Sequence, residues 1–298
     1  MTYKQLGNSD LQVSEIAFGC MSLGSDHAAN AELLHHALNQ GVNFFDTADL
    51  YDKGANEKTV GKAFAGMREQ VIISTKVGNQ WRADGSGWDW NPRKAYILQA
   101  VEESLRRLQT DYIDLYQLHG GTIEDPIDET IEAFELLKKQ GKIRHYGISS
   151  IRPNVIREYV KRSNIASVML QYSLLDRRPE EQVLDLLKGK GIGILARGSL
   201  AQGLLAGKPA KPYLGYTFEE IQQAANSVRK VAGTDRKAAE VALRYTLHHP
   251  AVSAAVMGIR TEEQLDDALL ASKSAPLTAA EIKVLQQSLQ ANRYEQHR

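Results

Sequence analysis

Eight short β-rich runs, each followed by a longer stretch with helical spacing, constrain the fold of this chain more than any other feature of its sequence. They lie near VSEIAFGCM (13–21), NFFDTA (43–48), VIISTKV (71–77), YIDLYQLH (112–119), IRHYGIS (143–149), SVMLQYS (167–173), GIGILAR (191–197) and SAAVMG (253–258). Intervening segments such as AELLHHALNQ, NPRKAYILQAVEESLRRLQ and RKAAEVALRYTLHHP carry apolar residues three and four apart, as amphipathic helices do. Repeated strand–helix alternation calls for parallel strands joined by crossover helices. The expectation is an α/β fold, the (β/α)8 TIM barrel, whose usual length of about 250 residues leaves room for modest additions in a chain of 298. Three additions are visible. KQLGNSDLQVSEI reads as a hairpin turning at Asn8-Ser9-Asp10 and plugging the barrel floor. A segment from Ala201 to Gly233 separates the seventh strand from its helix, and a final helix follows SAPLTAAE, where Thr278 and Glu281 form a capping-box pattern. No linker or repeat divides the chain, so residues 1–298 are expected to form one domain.

A parallel barrel places its chemistry at the C-terminal ends of its strands. Four polar residues stand at such ends here: Asp46, Tyr51 just beyond it, Lys76 and His119. Lys76 follows Val71, Ile72, Ile73 and Ser74, so its ammonium reaches a dry barrel mouth, where it costs several kcal/mol unless paired. Asp46 on the neighbouring strand is the natural partner. That pair also reads as a structural tie between strands. Tyr51 adds chemistry, because an adjacent ammonium favours the phenolate and lowers the phenol pKa from about 10 toward the range of a working proton donor. Taken alone it reads first as a loop aromatic covering the core. His119 precedes Gly120 and Gly121, and it reads either as a structural residue or as a donor that polarises a substrate carbonyl. A carbonyl polarised by histidine and protonated by tyrosine still lacks a hydride. No side chain supplies one, so a cofactor is required.

No G-x-G-x-x-G follows the first strand, which leaves a doubly wound dinucleotide domain unsupported. A different seat lies after the eighth strand, where Gly258-Ile259-Arg260-Thr261-Glu262-Glu263-Gln264 opens a helix. Thr261 and Gln264 form a capping box, a purely structural role on its own. Arg260 beside the helix N-terminus suits a phosphate, and barrels often bind phosphate after strands seven and eight. The loop Arg197-Gly198-Ser199-Leu200-Ala201-Gln202-Gly203 offers small residues for close backbone approach to a pyrophosphate. Lys208 to Tyr213 are expected to close over the cofactor. All three tryptophans fall between Asn79 and Trp90, as one wall of a substrate pocket or as anchors of their loop.

Charge narrows the partners. With 36 basic and 36 acidic residues the formal net charge is zero, so neither nucleic acid nor an anionic membrane is favoured. The single Cys20 fits a reducing compartment. The first residues have no apolar signal core, and no segment approaches a membrane span of about 18 apolar residues; the expected location is the cytoplasm. His35-His36 and His248-His249 lie in helical patterns and are expected to face solvent, so no metal site is expected. A Schiff-base aldolase would use Lys76 but needs neither Tyr51 and His119 nor Arg260. A redox-sensing, nicotinamide-binding partner protein with little turnover is the other alternative.

The constellation resembles the aldo-keto reductases, and the resemblance runs over nearly the whole chain. FFDTADLYDKGANEKTVGKAF is similar to the family's Asp and Tyr segment with its E-x-x-x-G-x-A helix, here Glu57, Gly61 and Ala63. STKVG resembles its lysine strand, YIDLYQLHG its histidine strand and GKIRHYGISS its fifth strand. The resemblance implies a barrel that binds NADPH, or sometimes NADH, in extended form and reduces aldehydes or ketones, small-molecule carbonyl substrates, to alcohols. It implies Tyr51 as proton donor, Lys76 and Asp46 as its tuners, and His119 as the group orienting the carbonyl. It further implies that Ser149 and Gln171 hold the nicotinamide carboxamide, and that Gly258, Arg260 and Gln264 hold the adenosine phosphate. Three positions depart from the family pattern. Ser150 stands where asparagine is common, Arg197 where an aromatic often stacks on the nicotinamide, and Ala268 where asparagine often contacts adenine. Weaker adenine recognition is expected there, while Arg260 favours NADPH because a 2′-phosphate suits a bidentate cation.

Overall fold

The computed structural model describes residues 1–298. The chain opens with an antiparallel hairpin of β1 (Tyr3–Gln5) and β2 (Gln12–Ser14). There follow β3 (Ile16–Gly19), α1 (His27–Asn39), β4 (Phe44–Asp46), α2 (Ala55–Ala63) and β5 (Ile72–Val77). A second small hairpin, β6 (Asn79–Trp81) with β7 (Trp88–Trp90), precedes α3 (Lys94–Leu108), β8 (Ile113–Leu118), α4 (Ile127–Lys139), β9 (Ile143–Ser149) and α5 (Pro153–Arg162). The last third holds β10 (Ser167–Gln171), α6 (Val183–Gly189), β11 (Gly193–Arg197), α7 (Phe218–Ala232), α8 (Ala238–Leu247), β12 (Val252–Gly258), α9 (Glu262–Lys273) and α10 (Ala279–Gln287).

Strands β3, β4, β5, β8, β9, β10, β11 and β12 close into a parallel barrel, with β12 returning beside β3. Strict alternation explains why the strand sequences are apolar throughout. Ala17, Phe44 and Leu115 point inward and pack with Met169, Leu195 and Ala254, while their neighbours Phe18, Phe45 and Tyr116 point outward into the layer under the helices. The N-terminal hairpin closes the floor as expected, with Leu6 and Leu11 filling the inner cluster. Gly7 makes this approach possible: its φ is +56°, and a Cβ there would sit 2.5 Å from the Gly193 amide nitrogen.

The additions differ from the sequence reading in detail. Residues 79–90 form the β6–β7 hairpin instead of an open loop. The Ala201–Gly233 segment contains a full helix, α7, started by a Thr217–Glu220 capping box. The Thr278–Glu281 box that begins α10 is present as expected. His248 is exposed, but His35, His36 and His249 are half-buried, and His35 Nε2 faces the Ala63 carbonyl. No helix is long and apolar enough to cross a membrane.

Candidate active site

The barrel's register puts a polar residue at or next to the C-terminal end of six of its eight strands. Asp46 ends β4, Lys76 lies one residue from the end of β5, and His119 follows β8. Lys76 is only 1% exposed, and each of its three N–H donors has a partner. Its Nζ lies 2.6 Å from Asp46 Oδ2, 2.7 Å from the Thr47 carbonyl and 3.3 Å from the Tyr51 hydroxyl. The other Asp46 oxygen accepts from Ser74 Oγ at 3.1 Å, and Ser74 Oγ in turn accepts from Gln117 Nε2 at 2.8 Å. Since Tyr51 is the acceptor toward Lys76, its own O–H proton is free for another acceptor.

Burial pulls the Lys76 ammonium down, but Asp46 and Tyr51 outweigh it and leave its pKa above the usual lysine value. Burial raises the Asp46 carboxyl against the opposing pull of Lys76. Tyr51 departs from expectation. Its pKa lies above the usual phenol value, because burial raises it more than the Lys76 charge lowers it, and Asp46 works against the lysine. The expected depression by the ammonium is therefore present as a contribution but not as the outcome. At neutral pH this phenol carries its proton.

Tyr51 is aimed by the backbone that follows it. Asp52 (φ 49°), Lys53 (φ 52°) and Gly54 (φ 83°) are all left-handed and swing the chain into α2. Only glycine fits the last of these, since a Cβ on Gly54 would meet Arg107 Cδ at 2.7 Å. Arg107 Nε donates to Glu57 Oε2 at 2.6 Å, and Glu57 Oε1 accepts from Thr75 Oγ1 at 2.5 Å, next to Lys76 on β5. One buried ion pair thus ties the tyrosine turn and the lysine strand to α3.

His119 stands edge-on to Tyr51, with ring centroids 5.8 Å apart and an 83° interplanar angle. Its Nδ1 is buried without a partner. Burial first, then the charges of Lys76 and Arg197, bring its pKa down to about 3, so the ring is neutral across the physiological range. The unfolded histidine titrates near 6.5, so the unfolded chain takes up the proton first as pH falls. The His119 contribution to stability is whole above about pH 7 and drains away as pH drops through 6.5 toward 3. Between about pH 7.5 and about pH 5 the urea midpoint should fall less in His119→Gln than in wild type. Equal falls would show that this histidine protonates freely in the folded protein.

The remaining strand ends face the same rim. Ser149 ends β9, Gln171 ends β10, Arg197 ends β11 and Gly258 ends β12. Arg197 is exposed and donates to Gln171 Oε1 at 3.2 Å, while Gln171 Nε2 donates to the Tyr213 hydroxyl at 2.9 Å. Ser150 is buried, and its Oγ accepts from the Arg152 amide at 3.2 Å. In the loop after β11, Gly198 (φ 74°), Ala201 (φ 47°), Gln202 (φ 60°) and Gly203 (φ 92°) are left-handed. Leu200 there is half-buried, Gln202 is exposed, and Ser199 Oγ is buried without a partner. After β12, Arg260 is exposed, and Thr261 caps α9 by accepting from the Gln264 amide at 3.2 Å. Gln264 does not complete the expected box: its Oε1 accepts from the Arg260 amide at 2.9 Å, one residue before the cap. The glutamine thereby pins the backbone of Arg260. Ala268 is 2% exposed and packs into the core, so it has no face toward a ligand.

The tryptophan hairpin divides between its two readings. Trp90 anchors it, donating to Asp125 Oδ1 at 2.9 Å, with its ring in the space a Cβ on Gly78 would fill and packed against Gly120. Trp81 lies under the Lys53 ammonium at 5.1 Å, and Trp88 is 47% exposed. Sequence reasoning missed Thr47, Ser74 and Gln117, and the contact of Tyr213 with Gln171. The first three stand in strand runs already noted, where a buried hydroxyl or amide beside a charged residue was the available signal. Tyr213 belongs to the segment expected to close over the cofactor, but that segment has no periodicity and gave no sign of the contact with Gln171.

Comparison with known proteins agrees with this geometry. An uncharacterised oxidoreductase, YqkF, of Bacillus subtilis (strain 168) is 51% identical over the full length of both chains. The solved holo form of the aldo-keto reductase AKR11C1 from Bacillus halodurans superposes with a TM-score of 0.95 at 52% identity, covering 100% of this chain and 99% of that one. An NADH-specific methylglyoxal reductase of Escherichia coli (strain K12) is 34% identical, covering 70% of each chain. The model of the Aldo/keto reductase family matches residues 15–290, the whole barrel, and this chain belongs to that family.

Proposed function

We propose that this oxidoreductase reduces aldehydes or ketones to alcohols with NADPH, using Tyr51 as the proton donor. One observation carries the reading. The Lys76 ammonium, fully engaged by Asp46, Thr47 and Tyr51, binds the phenol oxygen as a donor and so leaves the phenol proton pointing away from it. Bound nicotinamide supplies the hydride. Tyr51 gives its proton to the carbonyl oxygen, and the Lys76 charge stabilises the phenolate that remains. His119, neutral, donates from one ring nitrogen to the same oxygen and polarises the carbonyl. Ser149 and Gln171 are the carboxamide partners in this reading.

The residues fit the cofactor. Ser199 has a buried hydroxyl with no partner, in a loop whose Gly198 and Ala201 to Gly203 are left-handed. Arg260, held by Gln264 at the start of α9, is placed for a phosphate. Gly258 leaves room beside Ser22 at the exit of β12, since a Cβ there would meet Ser22 Oγ at 2.7 Å. A Schiff-base role for Lys76 finds no support, because its ammonium is saturated with acceptors and its pKa is raised rather than lowered.

Oxidation of NADPH and of NADH with a reactive benzaldehyde, followed by loss of nicotinamide absorbance, tests the activity and the cofactor choice together. Turnover is expected with a preference for NADPH. Arg260→Ala should reduce that preference by roughly ten- to a hundredfold, the worth of one charge-assisted contact to a phosphate. An unchanged ratio would refute the phosphate role. The 34% identical relative named as NADH-specific makes this comparison informative.

A further inference from the structure

The amide of Gln171 is held from two sides. A guanidinium can only donate, so Arg197, 3.2 Å away, fixes the carbonyl oxygen of Gln171 on its own side. The NH2 must then face Tyr213, whose hydroxyl accepts it at 2.9 Å. Tyr213 opens a tight turn closed by reciprocal backbone bonds with Tyr216, at 3.2 and 3.0 Å. Leu214 (φ 50°) and Gly215 (φ 87°) are both left-handed in that turn. A left-handed leucine is strained and persists only where the surroundings hold it. Its far arm supplies the hold. The Tyr216 hydroxyl donates to the Gln290 carbonyl at 2.7 Å and accepts from the Asn292 amide at 2.9 Å. Asn292 Oδ1 in turn accepts from the Arg177 amide at 3.0 Å. The turn is thus moored on the C-terminal segment by one tyrosine and touches the barrel rim with the other.

We propose that Tyr213 is a positioning residue, which together with Arg197 locks Gln171 in the one amide orientation that complements a primary carboxamide. With both flanks committed, Gln171 keeps one N–H and one carbonyl lone pair toward the rim. A carboxamide offers the matching acceptor and donor, whereas an acetyl group offers only the acceptor. The proposal rests on the reading above that Gln171 meets the nicotinamide carboxamide.

NADP+ and its 3-acetylpyridine analogue, each competed against NADPH fluorescence, separate the possibilities. Wild type should prefer the carboxamide. In Tyr213→Phe, which keeps the ring and removes the acceptor, Gln171 is free to turn, and that preference should drop about three- to tenfold, the worth of one hydrogen bond. An unchanged preference, or equal weakening of both nucleotides as a merely structural role would give, overturns the proposal while leaving the carboxamide reading intact. A wild type that binds both nucleotides equally overturns the carboxamide reading, and the proposal with it, before any variant is made.

Discussion

Tyr51→Phe is expected to lower kcat for carbonyl reduction by roughly 10²- to 10⁴-fold, the usual worth of a positioned general acid. NADPH binding should change by less than about twofold, because the lost group acts only as the oxygen gains charge. The ring survives the change and keeps its edge contact with His119 at 5.8 Å. The Lys76 ammonium loses one of three acceptors but keeps the two closer ones, Asp46 and Thr47. The loss should therefore be chemical and not structural. Stopped-flow measurement of a single turnover, beside cofactor titration by fluorescence, separates the two effects. A variant that turns over at the wild-type rate would mean that His119 or water delivers the proton. Tyr51 stays protonated well into alkaline pH, since burial holds its pKa above the usual phenol value. Reduction by wild type should accordingly show no loss from phenol ionisation through the neutral range.

The fold and the meeting of Asp46, Tyr51, Lys76 and His119 at one rim were legible for the same reason. A barrel strand is covered on both faces, so it reads as a continuous apolar run, and any charge at its end is conspicuous: Asp46 after Phe44 and Phe45, Lys76 after Ile72 and Ile73. The direction of the Tyr51 pKa was not legible. Two opposed quantities set it, the nearness of Lys76 and the depth of burial, and a sequence displays only the first. Gln264 shows a subtler limit. Its capping pattern identified the helix start, but which backbone amide its side chain reaches depends on the path of Arg260, a matter of one residue. Tyr213 lies 42 residues from Gln171 in the chain, in a segment with no hydrophobic period, so only three-dimensional closure brings the two together. Ala268, where weaker adenine recognition was expected, is a buried residue on the core side of α9, a depth that the sequence alone does not display.

Lys76→Met should destabilise the protein by about 3–5 kcal/mol, the cost of stranding one member of a buried ion pair. Asp46 would be left with Ser74 as its remaining side-chain partner, in a site where burial already pushes its carboxyl toward protonation. Without the opposing ammonium, Asp46 should take up a proton on folding. A carboxyl with a raised folded pKa binds protons in the native state that the unfolded chain has released, so the damage should grow as pH rises above about 4. Calorimetric melting across that range checks both size and sign. The double variant Asp46→Leu/Lys76→Met should recover most of the lost stability, because replacing a buried pair with apolar groups of similar volume is often neutral or better. Ser74 Oγ would still accept from Gln117 Nε2 at 2.8 Å, while its own proton loses the Asp46 acceptor, a small residual cost. Activity should not return in the double variant, since nothing would then stabilise the phenolate of Tyr51. Were the double variant as unstable as the single one, the pair would be a structural tie between β4 and β5. Stability restored without turnover assigns the buried pair to the chemistry of the phenol, with the apolar barrel around it supplying the stability.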